Sequence, residues 1–318
     1  MRVLVAGATG VIGRPLVPLL RSVGHEVIGL ARSPGAADRV RQLGARPVLA
    51  DALDAEAVDR AVRDSAPDAI VHMLTAIPAN VDSRHLARDF AATNRLRTDG
   101  TRALLAAAER AGVRRVVAQG LAYAYQPGEA GPANEDAPLW RDPPRQFVPV
   151  LDALRELERQ VTSAGGLVLR FGHLYGPGTA FAADGGFGTA VRDGKMPIVG
   201  GGTATFSFTH ADDAASAVVA ALDRDVAGAL NVVDDDPAPV RDWLPELARL
   251  AGGPVPKRVP AALARLAVGG WGVAFLTRLR GADNARARLA LDWRPRYPSW
   301  RDGFAAEFAR DDPAVGAS

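Results

Sequence analysis

Val3-Leu4-Val5-Ala6-Gly7-Ala8-Thr9-Gly10-Val11-Ile12-Gly13 decides the fold. The apolar run Val3–Ala6 predicts a buried strand, and the residues beyond Gly13 predict a helix to about Val23, stopped by Gly24. Between them the three glycines allow a tight turn, close approach of backbone to a pyrophosphate, and close helix–sheet packing. The helix start then turns free N–H groups and a positive dipole end toward an anion. Gly7, Thr9, Gly10, Val11, Ile12 and Gly13 are therefore the candidate cofactor cradle.

Working outward, short apolar runs alternate with helical patterns, which predicts a parallel sheet with crossover helices. Strands are expected at Glu26–Ala31, Arg46–Leu49, Ala69–Leu74, Val116–Gln119 and Leu167–Phe171. Helices are expected over Ser83–Ala111 and Leu151–Ser163. After Gly176 glycine-rich segments alternate with short elements, then a helix over Asp212–Leu222, a strand over Leu230–Val233, and helices over Trp243–Ala251 and beyond Pro260. The expected architecture is α/β, a Rossmann-like doubly wound parallel sheet with a smaller C-terminal substrate-binding region. Residues 1–175 form the dinucleotide-binding unit, with 207–235 returning to it. Residues 176–206 and 236–310 form the substrate region, and 311–318 a tail.

The end of the second strand speaks to cofactor choice. NAD calls for an acidic residue there to bind the ribose hydroxyls. This chain has Arg32-Ser33, a planar fork and a hydroxyl suited to a phosphate, so NADP(H) is favoured over NAD(H), with Arg14 and Arg39 assisting. The alternative for Arg32 is a solvated surface arginine. Asp51, ending the third strand, is an adenine-side contact or a helix N-cap.

Composition narrows the classes. Of the 318 residues 48% are hydrophobic and 23% charged, and the net charge is only +2. All but two of the 38 basic residues are arginine, without a basic run, which argues against nucleic acid as a partner. Cysteine is absent, excluding disulfides and thiolate chemistry. A first strand beginning at Arg2 leaves no room for a signal peptide, so a cytoplasmic location is expected. Leu263–Leu279 is apolar, but Arg265, Arg278 and three glycines make it a buried or pocket-lining helix rather than a membrane span.

Four further segments carry a resemblance: Ile70–Ala76, Gly100–Ala108, Arg170–Gly178 and Phe208–Asp213. Together with the glycine loop they resemble the extended short-chain dehydrogenase/reductases, which include NAD(P)-dependent epimerases and dehydratases. The resemblance implies that Leu74 and Thr75 line the nicotinamide ribose and that His173, with Leu174 and Tyr175, lies on the substrate side. It also implies that the long helix suits a homodimer. It further implies a tyrosine four residues before a lysine and a hydroxyl near the fifth strand. Here Val150, Leu154 and Leu121 stand at those positions.

The candidate catalytic groups are therefore others. Tyr123 could face the substrate, Tyr125 could do so or simply pack, and His173 could act as acid or base near neutral pH. His72, inside a strand, is expected to be a satisfied core residue. His210, Asp212 and Asp213 read as a helix start, so no metal is expected. Asp234-Asp235-Asp236 reads as a solvated turn. An atypical NADP(H)-binding oxidoreductase or epimerase-like enzyme acting on a small, hydrophobic molecule fits these residues. A non-redox cyclase, dehydratase or isomerase, or a catalytically silent NADP(H)-sensing protein, remain the alternatives.

Overall fold

The structure, a computed structural model, describes residues 1–128 and 131–310. It opens with the strand–loop–helix unit expected: β1 (Arg2–Ala6) and α1 (Gly13–Ser22). β2 (Glu26–Ala31), α2 (Pro34–Gln42), β3 (Arg46–Leu49), α3 (Ala55–Ser65) and β4 (Ala69–His72) follow. Next come α4 (Leu86–Asp89), α5 (Ala91–Arg95), a π-helical turn (Leu96–Gly100), α6 (Thr101–Arg110), β5 (Arg115–Leu121), α7 (Val148–Ser163) and β6 (Leu167–Phe171). The remainder is β7 (His173–Tyr175), α8 (Gly186–Arg192), β8 (Ile198–Val199), β9 (Thr205–Phe206), β10 (Phe208–His210), α9 (Ala211–Leu222), β11 (Gly228–Val232), β12 (Ala238–Pro239), α10 (Val240–Leu250), β13 (Arg258–Val259), α11 (Ala261–Thr277), α12 (Ala285–Leu291) and α13 (Trp300–Arg310).

Seven strands form one parallel sheet in the order β11-β6-β5-β4-β1-β2-β3. This is the doubly wound Rossmann-like arrangement. The order reverses between β1 and β4, and ligands of such sheets bind beyond the strand ends at that crevice. Strand alternation explains how both faces are covered. Val3 and Val5 pack under α1, α2 and α9, while Leu4 and Ala6 pack under α3 and α6. A separate aromatic core joins Trp140, Phe147, Phe206, Phe208, Trp243, Trp271, Trp300 and Phe304 with Val150, Leu151 and Leu154 of α7. The later segments are thereby sealed onto the sheet.

Several expected boundaries move. The fourth strand stops at His72, and α7 begins at Val148, where Pro149 fits the first helical turn. The single helix expected over Ser83–Ala111 is instead three helices and a π-turn, and it starts only at Leu86 because residues 83–85 make a turn around the Asp82 carboxylate. The Asp234–Asp236 stretch is solvated only at Asp235 and, in part, Asp236. Asp234 is buried and accepts the Phe208 N–H, Asp235 accepts from Asn284 and pairs with Arg288, and Asp236 accepts from Ser299. Leu263–Leu279 lies mostly in α11, broken at Gly269, with Leu263 and Leu266 exposed and Trp271, Ala274 and Leu276 buried. Among the described residues no helix is long and apolar enough to cross a membrane. The expected tail, 311–318, lies outside the described residues.

Candidate active site

At the switch point the glycines are required by space. Gly7 has φ +101°, and a Cβ on it would lie 2.6 Å from the Met73 carbonyl oxygen. A Cβ on Gly13 would strike the Gly7 carbonyl, so α1 can start only directly against the loop. The result is a cradle of bare backbone at a helix N-terminus, the shape a pyrophosphate needs. Thr9, Gly10, Val11 and Ile12 complete it. The residues present fit a dinucleotide.

Toward the sheet edge β2 ends at Ala31. Arg32 follows, exposed, and Ser33 caps α2 by accepting the Ala36 N–H at 3.3 Å. Its hydroxyl proton stays free to donate. Asp51 is exposed and accepts the Leu53 N–H at 3.0 Å; the cap of α3 is Asp54. The N-cap alternative for Asp51 therefore fails. Arg14 lies over Gly178, a glycine with φ +75°, so it bridges the cradle and the loop after β7. At the end of β4, His72 is a satisfied core residue: Nε2 meets Thr101 Oγ1 at 3.0 Å and Nδ1 accepts the Leu74 N–H. Burial pulls its pKa down to about 4. Leu74 is half-buried and Thr75 exposed at the crevice rim.

Beyond β5 and β6 the candidates separate. His173 is buried, sandwiched between Phe206 (centroids 3.8 Å apart, 8° between planes) and Tyr123 (4.5 Å, 21°). Phe275 of α11 meets His173 and Tyr123 edge-on. Nδ1 of His173 lies 3.2 Å from the Ser207 carbonyl, so it carries the proton, and the buried Nε2 is an acceptor with no partner. Burial pulls the imidazole pKa down to about 3. The ring is neutral at pH 7, which removes titration near neutral pH as the basis for an acid–base role. Tyr123 is half-buried. Burial raises its pKa, and the nearby Arg97 charge works against that rise.

The structure takes Tyr125 out of the catalytic set. Its hydroxyl donates to Asn231 Oδ1 (2.6 Å) and accepts from Arg170 Nη1 (2.7 Å). Arg170 in turn forms a two-pronged bond with Glu158 of α7, at 2.7 and 2.6 Å. The hydroxyl is spent inside this network, and burial pushes its pKa up to about 12. Tyr175 and Leu174 also turn away. Tyr175 packs on His210, Phe208 and Phe304, and Leu174 faces the core beside the sheet. His210 caps α9 and bonds Glu307, and Asp213 accepts the Arg296 and Tyr297 N–H groups. Among the described residues no cluster could hold a metal.

Sequence reasoning did not single out Phe206, Phe275 or Arg97. The first two reach the site only through tertiary folding. Arg97 did leave a signal: it stands on the buried stripe Thr93-Arg97-Thr101-Leu104, where an arginine is out of place.

Residues 3–233, from the first strand through the last of the sheet, match the model of the NAD dependent epimerase/dehydratase family. The chain belongs to that family. A 3-diazoavenalumate denitrifying reductase from Streptomyces is 50% identical over 310 residues, covering 96% of this chain and all of the relative. Among solved structures, the UDP-glucose 4-epimerase of Thermus thermophilus complexed with NAD superposes with a TM-score of 0.73 at 24% identity, over all of both chains. A human epimerase family protein solved with NADPH superposes at 0.72 and 22% identity, over 97% of this chain and 99% of that one. Members of this fold thus hold either nicotinamide dinucleotide, and the crevice above β1 and β4 is where this family member offers its glycine cradle.

Proposed function

We propose that the chain is an NADP(H)-dependent reductase of a small aromatic molecule, and that its reaction expels a diazo group as dinitrogen. The observation that carries this reading is α7. Where the resemblance places a tyrosine and a lysine, it carries Val150 and Leu154, both buried in the aromatic core. Reduction of a carbonyl needs a proton at oxygen as well as a hydride at carbon, and the residues nearest to hand are poor donors. His173 is neutral with its Nδ1–H donated to the Ser207 carbonyl, and Tyr123 is held above the usual phenol range.

Replacing a diazonium group by hydride needs no acid. The carbon gains hydride, the C–N bond breaks with its electron pair going to nitrogen, and N2 leaves unprotonated. The glycine cradle would hold a reduced nicotinamide dinucleotide by its pyrophosphate, and that cofactor would supply the hydride. The protein's part is to hold a flat ring against it and exclude water, and the half-buried Tyr123 and Phe275 rings, backed by the buried His173 and Phe206, offer such a wall. The name of the Streptomyces relative, a denitrifying reductase of a diazo compound, supports the same chemistry. Arg32 and Ser33 at the N-terminus of α2, without a carboxylate on that turn, support NADP(H).

The test is a hydroxyarenediazonium salt incubated with protein and NADPH deuterated at the transferring carbon. Deuterium on the arene carbon that bore nitrogen, formed above the protein-free rate, supports the reaction. Arene formation no faster than in buffer sinks it. Arg32→Ala is expected to raise the NADPH KM by about tenfold or more, with little change in that for NADH.

A further inference from the structure

Arg97 is buried to 2% exposure, and its Nη1 has no hydrogen-bond partner. Among the described residues no carboxylate pairs with it. Its backbone carbonyl accepts the Thr101 hydroxyl at 2.6 Å. Burial pulls its pKa down to about 10, which still leaves the guanidinium charged at pH 7. Nη1 is cut off from water here with no described partner in its place, an unfavourable state for a cation unless a ligand brings the missing charge.

Its place in the fold indicates which ligand. Arg97 lies on the π-turn Leu96–Gly100, an irregularity that proteins concentrate at functional sites. That turn packs against α7, the helix that carries Val150 and Leu154. The Arg97 charge acts on Tyr123, just past β5, and on His72, at the end of β4. It therefore stands beside the aromatic wall, under the β4–β5 side of the crevice. The glycine cradle and Arg32 lie on the β1–β2 side. Asn94, one helical turn earlier, likewise buries an unpartnered Oδ1.

We propose that Arg97 receives a carboxylate of the substrate, so that the pocket selects flat aromatic acids in their anionic form. A guanidinium matches a carboxylate with two parallel N–H···O bonds, and the stacked rings beside it accept the flat remainder. The inference rests on the reductase reading above, since it names the substrate class of the same pocket.

Binding without turnover separates the two. Cinnamate and cinnamamide, equal in shape and different in charge, are titrated into the NADPH-loaded protein by calorimetry. Cinnamate is expected to bind about tenfold or more tightly than the amide. Arg97→Met is expected to abolish that preference, leave NADPH affinity unchanged, and melt no lower than wild type without ligand, because the lost charge had no partner. Arg97→Lys keeps the charge without the fork and is expected to keep part of the preference. Equal binding of acid and amide by wild type overturns the proposal. So does undiminished cinnamate affinity in the variants, or a loss of NADPH affinity in either, which would assign the guanidinium to the cofactor. A cinnamate preference that depends on Arg97 in a protein inert toward diazonium salts would overturn the reaction alone.

Discussion

His173 shows what burial does to a single residue. Its pKa falls from 6.5 to about 3 because the ring is sealed between Phe206 and Tyr123, and the buried His72 falls to about 4. Between pH 6.5 and these values the unfolded chain binds protons that the folded one refuses, so stability is full above pH 6.5 and drains away as pH falls. At pH 5 each histidine accounts for about 2 kcal/mol of that loss. His173→Phe can stack in the same slot, and the Ser207 carbonyl still accepts the backbone N–H of residue 173 at 2.9 Å. The variant should lose several degrees less in melting temperature than wild type between pH 7.5 and pH 5. Equal losses in thermal melts would contradict the account. Reading His173 as a near-neutral acid or base from sequence was reasonable for an average loop histidine; the two rings that suppress its charge come from residues 50 positions before it and 33 after. Gly7 and Gly13 were legible because their constraint is local, whereas packing was only one of two readings open to Tyr125, since Arg170, Glu158 and Asn231 meet it only across the sheet.

Elements differ in legibility for the same reason. Parallel strands buried on both faces read as continuous apolar runs, so β1, β2, β5 and β6 stand near their expected bounds. Breaks inside helices depend on what packs beside them. Gly269 divides α11 with φ +69° and ψ −176°, a conformation open essentially to glycine. The break lets the Ser83 hydroxyl donate to the Val268 carbonyl at 2.7 Å and presents the second half of the helix, with Phe275, to the aromatic wall. A Cβ at Gly269 would also press on Arg84 Cγ at 3.2 Å. Gly269→Ala should therefore cost about 2 kcal/mol, seen as a lower melting temperature. It should also raise KM for an aromatic substrate more than it lowers kcat, because it displaces a wall and not a reacting group. Steady-state kinetics with unchanged KM would count against α11 as that wall.

At the scale of the molecule, the expected division into a cofactor unit and a substrate region follows the chain but not the packing. Val150, Leu151 and Leu154 of α7 share one aromatic core with Trp243, Trp271 and Trp300. Asp213 on α9 anchors the backbone of Arg296 and Tyr297, and β11, far along the chain, completes the sheet beside β6. Neither part can expose its share of that core without losing much of its driving force for folding. The whole should therefore unfold in one transition, with far-ultraviolet and near-ultraviolet circular dichroism losing signal together. A ligand that binds only the folded chain adds RT ln(1 + [L]/Kd), about 2.7 kcal/mol at a hundredfold excess over Kd. NADPH, if it binds at the cradle as proposed, should thus move the signal of the five tryptophans as far as that of the sheet. Four of them, Trp140, Trp243, Trp271 and Trp300, lie in the aromatic core and dominate that signal, while Trp293 packs in the core beneath α9. NADH at the same concentration should move both signals less, and Arg32→Ala should bring the NADPH shift down to the NADH value. If the tryptophan signal melts first and ignores NADPH, the two regions are separate cooperative units, and the shared core beneath α7 does not couple substrate pocket to cofactor cradle.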